Sequence, residues 1–194
     1  MSRPERQRTN PDPMAPVVLF FDTEYTKRDS THCAPISLAL VARDTGDELY
    51  LVLEEGWTPQ DCSDFVRTTV LPQLHALDPL VCTAAGALTA IETFIARQRS
   101  DPWQPVQLAS DWPTDWDMLM RLPPDPQQWA AEHSIQPALM HHLIDRPDAI
   151  QAFNRARDHY LANLPADGAT GHHHALIDAR ALYHAWHTTF HTGD

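Results

Sequence analysis

The residues with the clearest capacity for chemistry are two carboxylates, Asp22 and Glu24, which end the apolar run VVLFFDTEY at positions 17–25. Five large apolar residues in succession suit a strand covered on both faces. Side chains two apart on a strand point the same way, so these acids project together from its C-terminal end. Like charges at that spacing repel, and a cation relieves the repulsion. Paired carboxylates are hard oxygen ligands suited to Mg²⁺ or Mn²⁺. Alone, an Asp-x-Glu also reads as an acidic turn.

Two more acids fall at places where an α/β sheet collects ligands. In SDWPTDWDMLMRL, Pro113 suits the first turn of a helix, and Trp116, Leu119 and Met120 give that helix an apolar face. Asp115 is then in the opening turn, just beyond a strand's C-terminal end. In HHHALIDAR, Asp178 sits beside the apolar stripe Ala175, Ala179, Leu182, Trp186 and Phe190 of a last helix, so it needs a partner. Three histidines, His172, His173 and His174, precede it. His174 and Asp178 are four apart, which admits a zinc site of His172, His174 and Asp178 with His141 and His142 nearby.

The elements that must position these residues follow from periodicity. After the first strand, residues 36–43 (ISLALVAR) and 49–53 (LYLVL) read as a hairpin around Asp44-Thr45-Gly46-Asp47, giving three antiparallel strands. Residues 61–71 read as a short helix stopped by Pro72. A second helix is capped at Thr89 by capping-box spacing to Glu92, with Leu88, Ile91, Phe94 and Ile95 on one face. Residues 105–110 form a fourth strand, reached by a helical crossover and therefore parallel to the first. Residues 123–128 read as a Pro-rich loop, and a fifth strand lies within 135–144. Residues 148–164 form an amphipathic helix on Ala149, Phe153, Ala156, Tyr160 and Leu164, and 166–171 a loop.

The chain has 194 residues, enough for one packed domain, with residues 1–15 read as a disordered tail and 16–194 as the domain. Fourteen basic residues against 26 acidic, a net charge of -12, argue against broad binding to duplex nucleic acid or anionic membranes. Three scattered cysteines support neither a disulfide framework nor a Cys-rich zinc module, and the expected compartment is a reducing cytoplasm. No stretch reads as a signal peptide or membrane span.

The order Asp-x-Glu, Asp, then His-x₄-Asp resembles the DEDDh, or DnaQ-like, 3′-to-5′ exonucleases. FFDTEY resembles the first motif, with Asp22 and Glu24 in its metal-binding places. SDWPTDWDML resembles the second, with Asp115 as its acid and Asp111 four residues earlier, and HHALIDAR the third, with His173 and Asp178. Tyr25, PISLALV, FVRTTVLPQL and the Asp-Trp of the second motif bring the bacterial, mycobacterial-type exoribonucleases closest. The resemblance implies a ribonuclease H-like α/β fold with a mixed five-stranded sheet, strands one to three antiparallel and four and five parallel, flanked by helices.

It further implies two divalent cations, Mg²⁺ or Mn²⁺. Asp22 would bridge both, Glu24 and Asp178 would serve the ion that activates water, and Asp115 the second ion. His173 would be the general base, since imidazole titrates near physiological pH; the run of three leaves His172 and His174 as alternatives. Nucleic acid with a free 3′ end is the implied substrate, single-stranded RNA or short oligonucleotides and 3′ overhangs being favoured and DNA the alternative, with nucleoside 5′-monophosphates as products. Tyr25, Lys27, Asp111, Trp112 and Trp116 are the candidate substrate contacts. Relatives commonly form homodimers. A reading of a different class is a non-catalytic nucleic-acid-binding module with this fold.

Overall fold

A computed structural model describes residues 15–28, 32–164 and 171–191. The expected tail, except Ala15, and most of the 166–171 loop lie outside the described residues. In chain order come β1 (Val17–Tyr25), β2 (Pro35–Ala42), β3 (Glu48–Leu53), β4 (Leu80–Cys82), α1 (Ala84–Gln98), β5 (Val106–Ser110), α2 (Pro113–Leu119), α3 (Pro126–Glu132), β6 (Ile135–Leu139), α4 (Met140–Leu143), α5 (Pro147–Ala162) and α6 (Ala175–Phe190). The strands form one six-stranded mixed sheet in the order β4-β3-β2-β1-β5-β6. β1, β2 and β3 are antiparallel neighbours, whereas β5 and β6 continue parallel to β1. None of the helices among the described residues is long and apolar enough to cross a membrane.

The alternation of β1 divides the core. Val17, Leu19 and Phe21 pack with Leu38, Leu40, Leu51 and the α1 residues Ile91, Phe94 and Ile95 on one face of the sheet. Val18 and Phe20 pack with Phe153 of α5 and with Ala175, Ala179 and Leu182 of α6 on the other. Small side chains bring α6 close to β1. Phe20, fully buried, meets Tyr183 edge-on with ring centroids 6.3 Å apart, and Trp186 at 6.0 Å. Asp22 and Glu24 therefore continue the row that faces α6, while Thr23 continues the row facing α2.

Four sequence expectations need correction. The sheet has six strands because β4 adds a three-residue edge beside β3, too short to show alternation. Helix α1 begins at Ala84, not Thr89. Its cap is Thr83, whose hydroxyl accepts from the Gly86 N–H at 3.2 Å, while the Thr89 hydroxyl turns back to the Ala85 carbonyl inside the helix.

Residues 61–71 do not form one α-helix. They give a 3₁₀ turn (Pro59–Asp61), a π-helical turn (Val66–Val70) and a second 3₁₀ turn (Leu71–Gln73). Pro72 lacks an N–H and its ring crowds the carbonyl four residues back, so the preceding turn widens and the Leu71 N–H reaches Val66 O. The expected loop at 123–128 contains the start of α3, where Pro126 takes the first helical position and the Asp125 carboxylate accepts from the Gln128 N–H at 3.0 Å.

Candidate active site

β1 outruns its neighbour. Its pairing with β2 extends to Tyr25, but its pairing with β5 stops at Phe20, so the strand's last residues are open on the β5 side. The first turn of α2 fills that opening. Asp115 Oδ1 accepts the Thr23 hydroxyl at 2.7 Å and the Thr23 N–H at 3.3 Å. Its other oxygen, Oδ2, is buried with no hydrogen-bond partner. Pro113 at the helix start is what places Asp115 there, one turn past the strand end.

Asp178 arrives from the opposite layer, in the first turn of α6, where the helix dipole favours an anion. It accepts the His173 N–H at 3.0 Å, and His172 Nδ1 lies 2.8 Å from its Oδ1. His173 adopts φ +69°, in the left-handed region, and that turn aims its N–H back at the carboxylate. Carboxylate oxygens of Asp22, Glu24 and Asp178 lie within 4.8 Å of one another. The same distance encloses ligand atoms of His172, His173 and Asp178.

These groups open on a cleft of about 790 Å³. Asp22, Glu24, Asp115, Asp178, His172 and His173 all line it, as do Tyr25, Lys27, Asp111 and Trp112. Trp116 instead packs half-buried against the core layer beneath α2, because its position in the helix faces the sheet. Of the three histidines, His174 turns away. It is the residue preceding α6, and its ring is buried on Tyr50 with centroids 4.7 Å apart. Zinc ligation by His172, His174 and Asp178 is therefore not assembled, and His141 and His142 meet edge-on outside the carboxylate cleft.

Burial dominates the electrostatics. It raises the Asp22 carboxyl well above the usual range, and the charges of Asp115, Asp178 and Glu24 raise it further. Glu24 is raised by burial and then by Asp178 and Asp115. Burial pushes Asp115 up to about 7 despite the two hydrogen bonds from Thr23. The imidazole of His172 is raised by its bond to Asp178, whereas His173 is lowered by burial and by the charge of His172. Mutually repelling buried carboxylates and an orphaned Asp115 oxygen make an all-oxygen donor set, and this fits divalent cations.

Three contributors have no role assigned from the sequence, although Phe65 and Gln73 both lie in the FVRTTVLPQL stretch. Gln73 clamps the histidine loop: its Oε1 accepts the Gly171 N–H at 2.7 Å, and its Nε2 donates to the carbonyls of His173 at 3.2 Å and His172 at 3.3 Å. Arg157 of α5 forms an ion pair with Asp111 and contacts Asp158 at 3.0 Å. Phe65, 51% exposed, meets the His173 ring edge-on at 4.9 Å. The likeness of the FVRTTVLPQL stretch to the exoribonucleases is the signal that could have pointed to Phe65 and Gln73; Arg157, on α5, lies in none of the stretches that carry the resemblance.

No protein-family model matches the sequence, and no curated protein matches it. Solved structures do match. Over 91% of this chain, E. coli exonuclease I in complex with a dA16 oligonucleotide superimposes with a TM-score of 0.54 at 15% identity, covering 41% of that protein. The E. coli exonuclease I complex with single-stranded DNA in a zinc-bound form gives 0.52 at 15% identity, over 87% of this chain and 39% of that one. The fold is ribonuclease H-like. The chain spans about two-fifths of the length of exonuclease I, and at this identity the ribonuclease H-like likeness is one of architecture: a mixed sheet with helices on both faces.

Proposed function

We propose that this chain is a divalent-metal-dependent 3′-to-5′ exonuclease that removes nucleoside 5′-monophosphates from single-stranded RNA or short oligonucleotides. One observation carries the reading: Asp22, Glu24, Asp115 and Asp178, from three separate segments, converge in one cleft with His172 and His173. Their order along the chain is that of the DEDDh motifs. The fold shared with exonuclease I supports a single-stranded substrate, and the likeness of the motifs to bacterial exoribonucleases supports RNA. The DNA-directed reading has its own support, because the exonuclease I structure of the same fold holds a dA16 oligonucleotide.

Asp22, Glu24, Asp178 and Asp115 would hold Mg²⁺ or Mn²⁺, which supply charge neutralisation at the phosphate and activate water. The protein's own part is positioning. Thr23 fixes one Asp115 oxygen and leaves the other turned inward. His173, held neutral near pH 7 by burial, accepts the proton of the attacking water. Its loop, clamped by Gln73, sets the approach of that imidazole. Trp112 and Tyr25 offer faces for stacking of bases, and Lys27 and Arg28 provide cations for the backbone phosphate.

The experiment is digestion of 5′-labelled single-stranded RNA and its DNA counterpart with Mg²⁺ or Mn²⁺, beside Asp22→Ala and an EDTA control. The expected result is a ladder shortening from the 3′ end, faster on RNA and lost in both controls. A faster DNA ladder selects the second reading, and no shortening of either strand overturns the enzyme.

A further inference from the structure

A second pocket adjoins the carboxylate cleft. It is about 230 Å³, and it shares Asp111, Trp112 and Arg157 with the cleft. Its other walls come from α4, the residue after it and α5: Met140, Ile144 and Phe153 are buried and form an apolar floor, while His141 and Asn154 are exposed. We infer that this pocket is a nucleobase subsite, receiving the base of one of the two nucleotides that flank the bond to be cut. The inference rests on the exonuclease reading and deepens it.

Size and chemistry agree on the occupant. The volume lies below the roughly 300 to 1,000 Å³ usual for drug-sized ligands, so it suits one planar heterocycle. Trp112 is 68% exposed at its mouth, an indole face with little protein over it. Every base has a π-face that can stack there regardless of sequence. The Asn154 amide and the His141 imidazole, one on each side, can donate to and accept from a base edge. Arg157 stands where the two cavities join, its guanidinium held there by its pairs with Asp111 and Asp158.

The test compares kcat/KM of the full chain with Mg²⁺ or Mn²⁺ on three single-stranded oligonucleotides: intact, abasic at the last position, and abasic at the second-last. For the unaltered protein, one of the two abasic substrates is expected to lose about tenfold, the scale of one base–aromatic stack. Asn154→Trp, which fills the pocket from an exposed helix position, is expected to lose a similar factor on the intact strand and nothing more on that abasic strand. His141→Trp approaches from the other wall and should repeat the pattern, and an unchanged cation-induced rise in Tm shows that both variants are folded. If either folded variant cleaves the intact strand at the original rate, or loses the same factor on all three strands, the subsite is overturned while the exonuclease stands. If the unaltered protein cleaves none of the three, the exonuclease reading fails and the subsite with it.

Discussion

Thr23 and Asp115, 92 positions apart, are joined twice: the threonine hydroxyl and its N–H both donate to Asp115 Oδ1, at 2.7 and 3.3 Å. This pair ties the end of β1 to the start of α2 and leaves Asp115 Oδ2 buried without a partner. Thr23→Val removes the shorter bond and keeps the shape. Loss of a group that orients a ligand typically costs 10- to 100-fold in metal affinity or activity, so the Mn²⁺ concentration giving half-maximal turnover should rise about tenfold or more. Thr23→Ser should restore it. An unchanged metal titration for Thr23→Val would remove Thr23 from the site.

Metal-free protein should lose stability as pH rises. Asp22, Glu24 and Asp115 all have carboxyls raised in the folded state, Asp115 to about 7 from an ordinary 3.8. A raised carboxyl makes its full contribution below the unfolded value and loses it as pH climbs through the folded value. Tm measured in EDTA should therefore fall between about pH 4 and pH 8. Asp115→Asn should flatten part of that decline, and Mg²⁺ or Mn²⁺ should reverse it in the unaltered protein by binding the ionised forms. A Tm in EDTA that is level across this range would contradict the raising of these carboxyls by burial and by one another's charge.

His173→Ala should lower kcat by about 10²- to 10⁴-fold, the usual contribution of a general base, while the cation-induced rise in Tm persists. The neutral imidazole is the active form, so turnover should fall on the acidic side, with a limb below the ordinary imidazole value of 6.5 because the His173 imidazole is lowered. His172 contributes to that lowering through its charge. His172→Ala should accordingly move the acidic limb to higher pH. Normal turnover in His173→Ala would transfer the base role to His172.

Gln73 touches the histidine loop at Gly171, His172 and His173 through one amide group. Gln73→Ala should release that loop and lower kcat about tenfold, on the scale of a support lost behind a reacting group, with KM little changed. Rate and pH profile on a short RNA would check it: a purely structural role would lower Tm and leave kcat per folded molecule intact.

Much of the fold was legible because β1 and the helices keep clean periods. The central strand, the β2–β3 hairpin, the parallel crossover to β5 and the long helices α5 and α6 agree with their apolar spacing. Short elements were not: β4 has three residues, and α1, read from the sequence as capped at Thr89, starts directly after β4 and is capped at Thr83. Pro72 and Pro126 illustrate the same limit, since one widens a turn and the other opens a helix.

At the candidate site, the sequence by itself carries the acids only as far as local geometry reaches: Asp22 and Glu24 share a face by strand alternation, and Asp115 and Asp178 open helices. Tertiary structure decided what meets across the chain. It turned His172 and His173 to the cleft while burying His174 against Tyr50, packed Trp116 against the core, brought Phe65 and Arg157 to the cleft, and set Gln73 on the histidine loop. Periodicity is a local property of the backbone and can be read from neighbours. Contacts between residues dozens of positions apart depend on how the sheet and its two helical layers close, and no local pattern encodes them.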